Sequence, residues 1–83
     1  MKILFIGCVE FSLKTLMKTV SLGGNVVAVC TLKDSSFNAD FCDLSGFANA
    51  NKIPSLHVDD INSGETISWI SHFQPDVIFC FGW

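Results

Sequence analysis

The chain has 83 residues, which limits it to one domain with a small hydrophobic core. Hydrophobic residues make up 49% of it, a fraction typical of folded proteins, and the net charge is −3 with five lysines and no arginine. This composition provides no basic face for a nucleic acid, and no apolar stretch is as long as a membrane span. The first residues also lack a signal-peptide cleavage site, so we expect a cytoplasmic protein.

The chain begins with a short apolar run, Lys2–Ile6, that predicts a first strand and ends at Gly7. Continuous apolar runs of this kind are typical of strands buried on both faces of a parallel sheet. A first helix is expected from about Phe11 to Leu22, and Gly23-Gly24 provides a left-handed stop after it. The apolar stripe of this helix, which should face the core, comprises Phe11, Leu13, Leu16, Met17 and Val20.

The second apolar run, Val26–Leu32, predicts a second strand. A second helix is expected after it, because four apolar residues share one helical face, and this helix has to end before Pro54. These four residues are Phe41, Leu44, Phe47 and Ala48. A weaker third strand is expected over Pro54–Val58.

The third helix is expected to begin near Asn62, which can cap it, with Glu65 reaching back as in a capping box. Its inner stripe is predicted to be Ile67, Ile70 and Phe73, and Pro75 ends it. The fourth strand, Val77–Phe81, is the most apolar of the four. Two of the four cysteines, Cys30 and Cys80, lie in these strands and are interpreted as small buried residues in a reducing compartment.

The order β-α-β-α-β-α-β predicts an α/β fold, namely a partial Rossmann-like parallel sheet with right-handed crossovers and strand order 3-2-1-4. Ligands of such sheets bind beyond the carboxyl ends of the strands at the point where the strand order reverses, here between strands one and four. The residues expected to bind substrate or cofactor there are Gly7, Cys8, Val9, Glu10 and Phe11 after strand one, and Phe81, Gly82 and Trp83 after strand four. A polar loop after strand two adds Ser35, Ser36, Phe37 and Asn38.

The first turn does not match the dinucleotide fingerprint, because it contains only Gly7 of the three glycines required and places Glu10 where a pyrophosphate would lie. Glu10 is interpreted first as a favourable charge in the first helical turn, and second as a ligand-binding carboxylate. His57 and His72 have no metal-ligand partner at suitable spacing on the same element, so both are interpreted as structural. No metal site is expected.

The fourth strand should be central in a sheet of this kind, yet nothing follows it. We therefore expect residues 1–83 to be the N-terminal fragment of one domain of a longer protein, truncated after the fourth strand, with no second domain in this chain. An apolar edge strand also predicts self-association through the segment from Val77 to Trp83.

Three segments, in order along the chain, resemble the folate-dependent formyltransferases. Lys2–Ser12 resembles the family's first strand and turn, Asn25–Thr31 its second strand, and Pro75–Trp83 its fourth. The resemblance implies an enzyme that transfers a formyl group from N10-formyltetrahydrofolate to an amine. It also implies that the catalytic Asn, His and Asp of the family lie beyond the fourth strand. No catalytic residue is therefore expected in this chain, which should be inactive alone and bind the folate poorly.

The resemblance also bears on the acceptor. Methionyl-tRNA formyltransferases usually have Thr and Pro where this chain has Cys8 and Val9, and a basic loop after strand two. Here that segment, residues 33–44, carries one lysine and three acids, Asp34, Asp40 and Asp43, which would repel RNA. The loop around Phe37 and the ending Phe81–Trp83 look most like the enzymes that formylate nucleotide-linked amino sugars. The alternatives are a methionyl-tRNA formyltransferase fragment and, in another class, a small non-catalytic α/β binding module.

Overall fold

The computed structural model describes residues 1–32 and 41–82. Seven elements alternate along the chain in the predicted order. The strands are β1 (Lys2–Ile6), β2 (Asn25–Thr31), β3 (Ser55–His57) and β4 (Val77–Cys80), and the helices are α1 (Glu10–Ser21), α2 (Ser45–Ala50) and α3 (Gly64–His72). The strands form one parallel sheet in the order β3-β2-β1-β4, which confirms the predicted α/β fold and its strand order.

β1 lies between β2 and β4, and its side chains are buried on both faces of the sheet. Ile3 and Phe5 face a core cluster that includes Leu16 of α1 and Leu44 beside α2. Leu4 and Ile6 face a second cluster, against which four partly buried residues of the opposite layer pack. These four are Ile61, Trp69, Ile70 and Phe73. The sheet is therefore covered by α1 and α2 on one face and by α3 on the other, as the connections of a doubly wound sheet require.

The buried face of α1 differs from the predicted stripe. Leu16 is fully buried, as expected, but Phe11 is 63% exposed and Met17 is 47% exposed. Ser12 takes the inward position instead and is fully buried, because its hydroxyl bonds to the end of β4. The stop after α1 is confirmed: Gly23 has φ +84°, a conformation that favours glycine.

α2 is shorter than the apolar stripe predicts, because Phe41 lies outside it. Phe41 forms an antiparallel bridge with Val9, next to the turn that follows β1. The helix begins only at Ser45, whose N–H donates to Asp43 Oδ1 at 2.8 Å. Leu44 and Ala48 are fully buried, as predicted.

α3 has a different cap and a partly different inner face. Ser63, not Asn62, is its N-cap, and Ser63 Oγ accepts a hydrogen bond from the N–H of Thr66. The N–H of Asn62 donates instead to Asp60 Oδ1 within the preceding turn. Ile67 is 51% exposed, and the inward residues absent from the predicted stripe are Thr66, which is buried, and Trp69, which is partly buried.

β4 is an edge strand within the described residues, and its burial alternates. Val77 and Phe79 pack against the core cluster of α1, whereas Ile78 is 49% exposed and Cys80 is also exposed. The expectation that Cys80 is buried is therefore wrong, since the α3 layer covers β2 and β1 and leaves the corresponding side of β4 open. Cys30, in the interior strand β2, is fully buried as expected.

We expect the chain to self-associate through β4, with two copies pairing antiparallel across a two-fold axis, because a free strand edge offers unpaired N–H and C=O groups. Ile78→Lys should weaken the association without unfolding the chain, since Ile78 is half exposed. Phe79 is unsuitable for this test because it packs against the core.

Light scattering at tens of micromolar protein measures the association. Ile67→Lys is the matched control, because Ile67 is an equally exposed isoleucine on α3. A monomeric parent chain, or a dimer that Ile78→Lys leaves intact, would contradict the expectation.

Candidate functional site

The turn after β1 is hydrogen-bonded to three other segments at the carboxyl edge of the sheet. The N–H of Gly7 donates to the carbonyl of Cys30, and the N–H of Cys8 donates to the carbonyl of Gly82, both at 3.1 Å. The carbonyl of Cys8 accepts from the N–H of Cys42 at 2.8 Å. The turn and the end of β4, which are 74 residues apart in the chain, are thus in direct contact at the point where the strand order reverses. We call these two segments the walls of the crevice that is expected at this point of such a sheet.

Ser12 links these walls through a buried hydroxyl. Its Oγ donates to the carbonyl of Phe81 and accepts from the N–H of Val9, the N-cap of α1. Val9 has no side-chain acceptor of its own, so Ser12 supplies the cap from within the helix. Ser12 is not among the predicted site residues, because a serine within an apolar stripe gives no local signal of a partner 69 positions away.

Two glycines make the close approach of the walls possible. A Cβ placed on Gly7 would lie 2.5 Å from Ser12 Cβ and 2.6 Å from the carbonyl oxygen of Phe81. A Cβ on Gly82 would lie 2.2 Å from a methyl group of Val9, and Gly82 has φ +70°. Any side chain at either position would therefore force β1, α1 and β4 apart.

Cys8 is a buried, protonated thiol in this crevice. Its Sγ donates to the carbonyl of Gly82 at 3.2 Å, and only 4% of the residue is exposed. Burial raises the pKa of the Cys8 thiol, and the neighbouring Cys80 raises it further. A reactive cysteine needs a lowered pKa and access to solvent, so Cys8 serves here as a packing residue and weak hydrogen-bond donor.

Glu10 and Phe11 are the residues of the turn that point away from the core. Together with Val9 and Lys14 they line an open groove of about 260 Å³. Glu10 is the first residue of α1, and its carboxylate lies 3.7 Å from the ammonium of Lys14. The helix-stabilising role expected of Glu10 is consistent with this position.

Of the residues predicted for binding, the structure therefore brings together the five from Gly7 to Phe11 with Phe81 and Gly82. Ser35, Ser36, Phe37, Asn38 and Trp83 lie outside the described residues.

A histidine–carboxylate pair lies at the carboxyl end of β3 and was not predicted. His57 Nε2 is 2.9 Å from Asp43 Oδ2, and both side chains are partly exposed. Burial by itself would raise the pKa of Asp43, but the hydrogen bonds from Ser45 and His57 outweigh it and lower the pKa. The pair joins β3 to the start of α2. The partners are 14 positions apart in the chain, so no local sequence pattern reveals the pair.

Two kinds of feature are absent from the part of the chain that the structure describes. No group of three or more His, Cys, Asp or Glu side chains in residues 1–32 and 41–82 is arranged to hold a metal ion. None of the three helices in these ranges is long and apolar enough to cross a membrane.

Ser12→Ala should lower the free energy of unfolding by about 1–3 kcal/mol, because the carbonyl of Phe81 and the N–H of Val9 both lose a buried partner. Urea denaturation of the two proteins measures this difference. Ser21→Ala is the matched control: Ser21 is also on α1 but exposed, so its loss should cost only a few tenths of a kcal/mol. Equal stability of Ser12→Ala and the parent would show that the link between the walls contributes nothing.

The stability contributed by Asp43 should depend on pH. Because folding lowers the pKa of Asp43, this contribution is present above the unfolded-state value of about 3.9 and is lost as the pH falls through the folded-state pKa. Asp43→Asn should therefore destabilise the chain near neutral pH, by less than about 1 kcal/mol for this partly exposed pair, and have a smaller effect below about pH 4.

Urea denaturation at both pH values checks this expectation. His57→Gln should produce part of the same loss near neutral pH, because it removes one of the hydrogen bonds to the carboxylate. A difference between Asp43→Asn and the parent that stays constant with pH would contradict the role assigned to the Asp43 carboxylate.

Comparison of the chain with protein-family models and with curated proteins finds no match in either set.

Proposed function

We propose that this chain is the N-terminal part of a folate-dependent formyltransferase, which transfers a formyl group from N10-formyltetrahydrofolate to the amine of a nucleotide-linked amino sugar. One observation carries the proposal. Lys2–Ser12 and Pro75–Trp83 are two of the three segments that resemble this family, and they meet where the strand order of the sheet reverses, through the bond from the Cys8 N–H to the Gly82 carbonyl. Crevices at this place in a doubly wound sheet are where such proteins bind ligands.

In the proposed reaction the neutral amine of the acceptor attacks the formyl carbon. A new carbon–nitrogen bond forms, the bond from the formyl carbon to N10 breaks, and the proton released by the amine ends on N10. The tetrahedral intermediate carries an oxyanion that hydrogen-bond donors stabilise. By the family resemblance, the residues that move the protons lie beyond the fourth strand.

The chain's own crevice residues fit a binding role in this reaction rather than oxyanion stabilisation. The N–H groups of Cys8, Val9 and Phe81 are already used within the chain, by Gly82, Ser12 and Ile6 respectively. The groove beside the turn offers a ligand an aromatic ring, a carboxylate and an ammonium group. The folate and the nucleotide both carry planar rings with polar edges, which such a surface can contact.

Charge favours a small acceptor over transfer RNA. The chain has no arginine, and the segment 33–44 carries a net charge of −2, counting Lys33 against Asp34, Asp40 and Asp43. Asp43 is charged at neutral pH, since the ordinary pKa of an aspartate already lies far below 7 and folding lowers the pKa of Asp43 further. An RNA backbone would lose affinity against such a segment.

We predict that the 83-residue chain alone transfers no formyl group, and that the protein encoded by its complete reading frame formylates a nucleotide-linked amino sugar faster than methionyl-tRNA. A side-by-side assay with N10-formyltetrahydrofolate and each acceptor measures both rates.

A faster rate with methionyl-tRNA would establish the tRNA enzyme instead. Absence of transfer to either acceptor would reject the enzyme and favour a non-catalytic binding module. Turnover by the chain alone would contradict the assignment of catalysis to residues outside it.

A further inference from the structure

Phe11 is an aromatic residue that the fold leaves uncovered. It lies in the first turn of α1 and is 63% exposed. Its ring contacts that of Phe81 edge-on, with centroids 6.3 Å apart and planes at 68°. Phe81 is anchored in turn by Phe5, which is fully buried, at a centroid distance of 5.8 Å. The contact with Phe81 therefore restrains the orientation of the Phe11 ring while most of its surface stays open to solvent.

The groove beside Phe11 also contains a hydrogen-bond acceptor and a hydrogen-bond donor. Glu10 offers carboxylate acceptors and Lys14 an ammonium donor, 3.7 Å apart, and both side chains are largely exposed. An exposed aromatic ring gains free energy when another ring covers it. A ligand that uses all three groups at once is a planar heterocycle whose edge carries N–H donors and carbonyl acceptors. A purely apolar ring would make no polar contact with Glu10 or Lys14, and a phosphate group would leave Phe11 uncovered.

We propose that Phe11 is the stacking platform for a planar heteroaromatic ring, with Glu10 and Lys14 contacting the polar edge of that ring. The inference rests on the proposed function in one respect, namely which compounds could supply the ring. These are the folate, through its pterin, and the acceptor, through its nucleobase. Both carry a planar heteroaromatic ring with a polar edge, and binding experiments distinguish them. The site lies against the carboxyl end of β4, so a ring held on Phe11 is at the mouth of the crevice.

Isothermal titration calorimetry of the chain with folinic acid, with uridine monophosphate and with ribose 5-phosphate tests the site. At least one of the two ring compounds should bind, and ribose 5-phosphate, which lacks a ring of this kind, should bind more weakly. The compound that binds identifies the source of the ring. Phe11→Leu should weaken that binding by roughly five- to a hundredfold, the range that loss of one base–aromatic stack produces.

Three further variants separate stacking from folding. Phe11→Trp keeps an aromatic ring and should bind at least as tightly as the parent chain. Glu10→Gln keeps the size of the side chain but removes its charge, and should weaken binding of a ring that donates N–H groups. Ile67→Ala removes a half-exposed apolar side chain from α3 and should leave the affinity unchanged. Circular dichroism spectra establish that each variant is folded.

The proposal is wrong if Phe11→Leu binds as tightly as the parent, or if neither ring compound binds better than ribose 5-phosphate. These outcomes are distinct from failure of the proposed function. Loss of binding in Phe11→Leu, combined with no formyl transfer by the complete protein, would retain the stacking site and reject the formyltransferase. Unchanged binding in Phe11→Leu, combined with formyl transfer by the complete protein, would reject the stacking site and retain the formyltransferase.

Discussion

The hydrogen bond from the Ser12 hydroxyl to the Phe81 carbonyl is the contact on which the geometry of the crevice depends. It draws the first turn of α1 onto the end of β4, and the same hydroxyl accepts from the Val9 N–H to cap the helix. An unpaired carbonyl and N–H would be costly in this partly buried position, so the bond contributes to the stability of the fold as well as to the geometry of the site. The approach is close enough that Gly7 and Gly82 have no room for a side chain, and all three residues therefore act as one unit.

This arrangement decides what the crevice offers to a ligand. The N–H groups of Gly7, Cys8 and Val9 bond to the end of β2, to the residues after β4 and to α1 respectively, so these three donors are not available to a ligand. The side chains that remain available are those turned outward at the start of α1, where Phe11, Glu10 and Lys14 share one groove. The wall is accordingly suited to holding a ring in place, and in the proposed reaction the chemistry at the formyl carbon is assigned to other parts of the protein.

A second group of hydrogen bonds lies at the same edge of the sheet, at the ends of β2 and β3. Asp43 accepts hydrogen bonds from Ser45 and from His57, and the N–H of Leu44 donates to the buried hydroxyl of Thr31. These bonds anchor the start of α2 to the ends of two strands. Because the carboxylate stays charged, they also place a negative charge at this edge, which supports a small-molecule acceptor over RNA in the proposed function.

The sequence by itself determined the strands, the parallel order 3-2-1-4, the stop at Gly23 and the meeting of the two crevice segments. Buried apolar runs, glycine turns and right-handed crossovers are local or topological signals, and they were sufficient for these features. Only the tertiary structure decided that Ser12 rather than Phe11 faces inward, that Ser63 caps α3, and that Asp43 meets His57. Hydrophobicity alone ranks Phe11 above Ser12 for burial. The order reverses because the carbonyl of Phe81 needs a donor, and a partner 69 residues away leaves no trace in local periodicity.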